Sequence, residues 1–212
     1  IKGLGADHDA DPDWVTLREE ADRLLAREVG GGSASIESLL QLTYKATHYA
    51  HRGESLLHRD EARRAALLAS DGALSLARKE GNEEAEIDAI LAHAMVDFAD
   101  MVPAERRDLI HGLRRRYANL HCFLKAAGVN ALWAKDLAFR GEMNESIRVL
   151  REEVMPLFLE LADIRFLRHD VLFAAGELYE IRRFDCARRI LEEVGRPFCQ
   201  LLNDDNGLLH VE

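Results

Sequence analysis

The chain has 212 residues, enough for one ordinary domain or one elongated array of repeats, and enough to bury a real core. It is 48% hydrophobic and 31% charged, with only 4 prolines, a composition that favours helices over strands and makes all-α the expected class. A net charge of −10 disfavours nucleic acid as a partner, because duplex-binding domains carry a basic stripe that displaces counterions from phosphates.

In chain order, residues 1–11 (GADHDAD in their midst) read as a disordered acidic tail. Pro12, flanked by Asp11 and Asp13, starts a helix over 12–29 with Trp14, Leu17, Ala21, Leu24 and Leu25 on one face. Gly30-Gly31-Gly32-Ser33 is a flexible break. Ser35 caps a helix running towards Gly53, and Asp60 starts another that ends at Gly81. Asn82 caps the next, which fails around Asp100–Pro103. A long helix is then expected to reach Gly128 and a shorter one Gly141. Asn144 opens a helix with Ile147, Leu150, Val154, Leu157 or Phe158, and Leu161 inward. The last pair spans roughly 164–182, with Leu167, Val171, Ala174 and Leu178 inward, and 184–202. No run of about 18 apolar residues would span a membrane. No secretory leader is legible, and the chain begins at Ile1 without Met, which points to a piece of a larger protein. Cys122, Cys186 and Cys199 lack CxxC spacing and read as reduced thiols of a cytoplasmic protein.

Two segments repeat. VLREEVMPLFLEL and ILEEVGRPFCQLL align on Pro156 and Pro197, 41 residues apart. At the same offset Ala134 meets Ala175, Leu137 meets Leu178, Arg148 meets Arg189, Leu150 meets Leu191 and Leu161 meets Leu202. Fainter echoes place Leu109 under Leu150 and Leu68 under Leu109. A fixed period of this size is the mark of a stacked-helix array. Proline removes a backbone donor, so each should kink or end the second helix of a hairpin, and Gly195 favours a stop in the later copy.

LAFRGEMNESIRVL and LYEIRRFDCARRIL, with ALSLARKEGNEEAEIDAIL upstream, resemble degenerate tetratricopeptide repeats. The likeness lies in small residues where two helices approach: Ala134 and Ser146 in one copy, Ala175 and Ala187 in the next. The period of 41 is longer than the usual ~34 of that family, Arg182 stands where Gly141 sits one copy earlier, and HEAT-type repeats are the alternative. The resemblance implies a right-handed superhelix of stacked antiparallel helix pairs, an α-solenoid. It would form one helical-repeat domain over 12–212, with about four hairpins across 36–202.

Three constellations bear on chemistry. His48, His51 and His58 are the most ligand-like cluster, with Glu54 nearby; three ligands and an open position would suit a catalytic zinc, although a solvated face is the simpler reading. His93 and Asp97 could imitate a proton-transfer pair, against a structural histidine. Between Met101 and Ala126 six basic residues face two acidic ones, and Arg107, Arg114 and Arg115 can share a face suited to a partner's carboxylate or phosphate, against the simpler reading of a solvated face or pairing with the chain's own acidic residues. No nucleotide-binding or hydrolase motif is present, no cofactor is expected, and the chain is expected not to be an enzyme. The expected function is a scaffolding or regulatory module that binds a protein or peptide on an extended concave surface. Its candidate contacts are Asp97, Lys135, His169 and Tyr179 on first helices, beside Arg107, Arg114 and Arg115. A metal-dependent helical enzyme and a homodimerisation domain are the alternatives.

Overall fold

The computed structural model describes residues 12–29, 34–53, 55–98, 100–161, 163–164, 166–204 and 207–208; of residues 12, 27–29, 52 and 169 it describes the backbone alone. The expected acidic tail and the glycine break at 30–33 lie outside the described residues, as does Glu54. All regular structure among the described residues is helical. The chain divides into two compact units, Ile1–Val102 and Pro103–Glu212, and the division falls at the expected Asp100–Pro103 break.

The first unit contains α1 (Pro12–Val29), α2 (Ile36–Arg52), α3 (Leu56–Glu80) and α4 (Glu83–Val96). The Ser35 hydroxyl accepts the Ser38 N–H, and the Asn82 amide oxygen accepts that of Ala85, each satisfying an otherwise orphaned donor of the first turn. The start expected at Asp60 lies earlier, because Ser55 caps α3 by accepting the His58 N–H. Neighbouring helices pack in sequence, and α1 also lies on α3 while α4 also reaches α2. Along α3 the buried residues Ala62, Ala66, Ala69, Ala73 and Ala77 recur at steps of three and four, the spacing of one helix face. Small side chains on that face allow neighbouring backbones to approach closely.

The second unit contains α5 (Pro103–Asn119), α6 (Phe123–Arg140), α7 (Met143–Val149), α8 (Met155–Glu160), α9 (Phe173–Glu180), α10 (Phe184–Ile190) and α11 (Arg196–Leu202). Three π-helical turns are set among them: π1 (Leu150–Val154) joins α7 to α8, π2 (Phe166–Leu172) leads into α9, and π3 (Leu191–Gly195) joins α10 to α11. The break expected at Gly128 falls instead at His121, which takes a left-handed φ of 60° so that the Cys122 N–H reaches back to the Tyr117 carbonyl. Gly128 stands inside α6, where a Cβ would meet nothing within 4 Å.

Neither proline ends its helix, so the stop that Gly195 favoured in the later copy is not made. In π1 the Met155 N–H bonds the Leu150 carbonyl, and in π3 the Arg196 N–H bonds that of Leu191, a five-residue step in place of four. Pro156 and Pro197 then fall in the first turn of α8 and α11, directly after the widened turn. The extra residue also rotates the face that follows: Phe158 is buried, Leu157 only partly, and Leu161, expected inward, is exposed. The two π turns stand 41 residues apart, as do the left-handed residues Gly141 and Arg182 that close the preceding helices.

Within this unit α6 packs on α5, α7 and π1, and also on π2, while α8 reaches α11. First helix therefore meets first helix one repeat later at α6 and π2, and second meets second at α8 and α11. Ala134, Ser146, Ala175 and Ala187 are all buried. Phe158, Phe166 and Phe198 form the aromatic centre, with ring centroids 5.4 Å and 4.9 Å apart. Between the two second helices, Arg189 donates to the Asn144 side chain at 3.0 Å.

Candidate functional site

The histidine cluster of the first unit is not assembled. His48 and His51 are exposed on α2, whereas His58 is buried on α3 and stacks on Trp14 with centroids 5.1 Å apart. Among the described residues no group of three or more His, Cys, Asp or Glu is arranged to hold a metal. His93 and Asp97 turn to different partners on α3: His93 Nδ1 lies 3.0 Å from the Ser70 hydroxyl and 3.2 Å from Asp71, and Asp97 accepts from Arg63 at 2.7 Å. That pair has no shared geometry for proton transfer. A groove of about 220 Å³ between α1 and α3 is floored by Trp14, Leu17 and Ala21. It is smaller than the ~300–1,000 Å³ of ordinary ligand pockets.

The basic face of α5 is largely neutralised by helices that follow it. Arg114 Nη1 lies 3.1 Å from Glu153 Oε2, Asn130 donates to the same oxygen, and Arg148 holds Glu153 Oε1 at 3.0 Å. Glu153 belongs to π1, so the widened turn aims one carboxylate at α5, α6 and α7 together. Arg107 lies beside Asp108, and Arg115 is exposed. Sequence reasoning missed Asp136, whose side chain is 2% exposed and pairs with Arg106 at 2.8 Å and Arg140 at 3.1 Å. Arg140 also lies over the Trp133 ring at 4.9 Å. The Asp136–Arg140 spacing of four was legible as a helix pair, but the arrival of Arg106 from α5 was not.

Lys135 was a candidate, and it sits where α6 meets the helix one repeat later. Its ammonium lies 2.5 Å from Glu177 and 4.6 Å from the Phe173 ring centroid, with Phe139 on the other side at 5.8 Å. Asp170, on π2, is half-buried at the same seam. Burial pushes its carboxyl up to about 7, and the Lys135 charge opposes that rise. The side chain of His169 lies outside the described ones. Tyr179 is exposed and meets Phe184 edge to face across the turn between α9 and α10. All three cysteines are free, Cys199 buried with its thiol pushed up by that burial.

In comparison with known proteins, no family model, no curated protein and no solved structure matches this chain. No described helix is long and apolar enough to cross a membrane.

Proposed function

We propose that this chain is a protein- or peptide-binding module, built as a tetratricopeptide-like array of stacked antiparallel helix pairs with the right-handed superhelical course of an α-solenoid. The observation that carries the reading is the packing of counterparts 41 residues apart, α6 on π2 and α8 on α11, with matching π turns. Counterpart packing sets first helices side by side, and such arrays use the resulting continuous surface for extended ligands. The contact surface is then the seam of Lys135, Phe139, Asp170, Phe173 and Glu177. Lys135 is already neutralised by Glu177, so the half-buried Asp170 is the group that gains most from a partner's donor. A peptide with a basic residue for Asp170 and an apolar one for Phe173 fits this seam. Of the other candidates, Arg114 and Asp97 are held in ion pairs at 3.1 Å and 2.7 Å, which leaves them less able to receive a ligand.

The test is selection from a random peptide library displayed on phage, followed by anisotropy titration of the enriched peptides. The reading expects a shared basic–apolar motif and about tenfold weaker binding to Asp170→Asn and Phe173→Ala, a loss of about 1.4 kcal/mol. No enriched motif, or peptides that bind the variants as well as the parent, would overturn it.

A further inference from the structure

The 41-residue offset allows the turn between α6 and α7 to be compared, side chain by side chain, with the turn between α9 and α10. In the earlier turn Ala138 is 0% and Met143 6% exposed. The following hairpin covers them: Arg183 Nη1 donates to the Ala138 carbonyl at 3.3 Å and stands 3.8 Å from where a Gly141 Cβ would lie. In the later turn the counterparts are Tyr179, 64% exposed, and Phe184, 52% exposed, and Ile181, also 52% exposed, replaces Arg140. Small or covered side chains have thus become large, apolar and open.

Two features say what covers it. The Tyr179 and Phe184 rings hold each other edge to face at 4.9 Å, so the apolar cluster has a defined shape before any partner arrives. Glu180 and Arg182 flank Ile181, both are exposed, and neither side chain has a partner among the described residues. Opposite unpaired charges on either side of an apolar anchor match their own image under a two-fold rotation. In a symmetric interface residue i meets j while j meets i, so each charge finds its opposite. The covered turn one repeat earlier adds that a helix-to-helix turn has the size to sit there.

We propose that the turn from Tyr179 to Phe184 is the contact surface for a second copy of this chain, in a two-fold symmetric dimer. The two Tyr179–Ile181–Phe184 clusters pack against each other at its centre, and Glu180 of each copy pairs with Arg182 of the other. This surface is separate from the Lys135 seam, and peptide binding there is not required for it.

Sedimentation equilibrium of the full chain over a wide concentration range tests the proposal, with circular dichroism confirming that each variant folds. The parent should associate reversibly to a dimer. Ile181→Asp should abolish association, and Glu180→Arg should raise the dimer Kd about tenfold or more, because like charges then face each other twice. Combining Glu180→Arg with Arg182→Glu should restore association to near the parent value, since the swapped charges again complement each other. A parent that stays monomeric throughout overturns the proposal. So does a dimer indifferent to Ile181→Asp, or a double reversal that recovers nothing.

Discussion

The two units connect their helices in the same alternating way and both bury alanines where helices meet, but they differ in what fills the rest of the interior. In the first, α3 runs 25 residues without interruption and offers a ladder of alanines to the helices packed on it. In the second, helices are widened by π turns, and the space between them is filled by Phe158, Phe166 and Phe198. A methyl ladder needs a straight helix, since any added residue would rotate the small side chains off the contact face. An aromatic core tolerates the rotation and uses it, because the π turn decides which of Leu157 and Phe158 points inward. One topology therefore admits two packings, distinguished by how each responds to changes of volume.

Phe198→Ala should be the largest perturbation. It empties part of the second core and should cost about 3–5 kcal/mol in urea denaturation. A loss below about 1 kcal/mol would mean that the aromatic core collapses as easily as a surface contact. Next comes the contrast in charge. Asp136→Ala should cost about 2–3 kcal/mol because it strands Arg106, whose side chain is only 15% exposed. Asp97→Ala, which breaks the exposed Arg63 pair of the first unit, should cost less than about 1 kcal/mol. Equal losses would erase the distinction. The opposite change of volume probes the first unit: Ala66→Leu should overpack the alanine ladder and cost about 1–3 kcal/mol. Neutral behaviour would show that α3 is loosely held.

A further effect is pH-dependent. The folded carboxyl of Asp170 is raised to about 7 from an ordinary 3.8, so between those values the folded state holds a proton that the unfolded state has released. Its contribution to stability is therefore lost as pH rises from about 4 through about 7, and is flat above that. Asp170→Asn should remove this slope and leave the protein about 1–2 kcal/mol more stable than the parent at pH 8. Denaturation midpoints at pH 5 and pH 8 measure it; parallel curves for parent and variant would contradict it.

Much of the architecture was legible where a side chain does its work locally. Ser35 and Asn82 cap the helices that follow them, and Gly141 takes a φ of 88° that its lack of a Cβ allows. The break between α5 and α6 was illegible because a histidine holds its left-handed turn and Cys122 makes no side-chain cap bond. Gly128, the conspicuous residue nearby, is an ordinary member of α6. The prolines announced a special feature and concealed its kind. Hydrogen-bond register inside a helix depends on what packs around it, and no residue type spells a five-residue step. The site divides in the same way. Lys135 could be singled out on a first helix, but its neighbours Asp170, Phe173 and Glu177 lie 35 to 42 residues further along. The arginines of α5 were legible as a basic stretch, but the carboxylates that meet them were not, because Glu153 and Asp136 reach them from other helices.

Proton contacts among three phenylalanines test the stacking of repeats most directly. Phe158 and Phe198 lie on successive second helices, 40 residues apart, and Phe166 bridges them from the first helix between. In a NOESY spectrum of selectively phenylalanine-labelled protein, the Phe166 ring should show cross-peaks to both Phe158 and Phe198. Cross-peaks to only one ring, or to neither, would contradict counterpart packing and with it the array on which the binding surface rests.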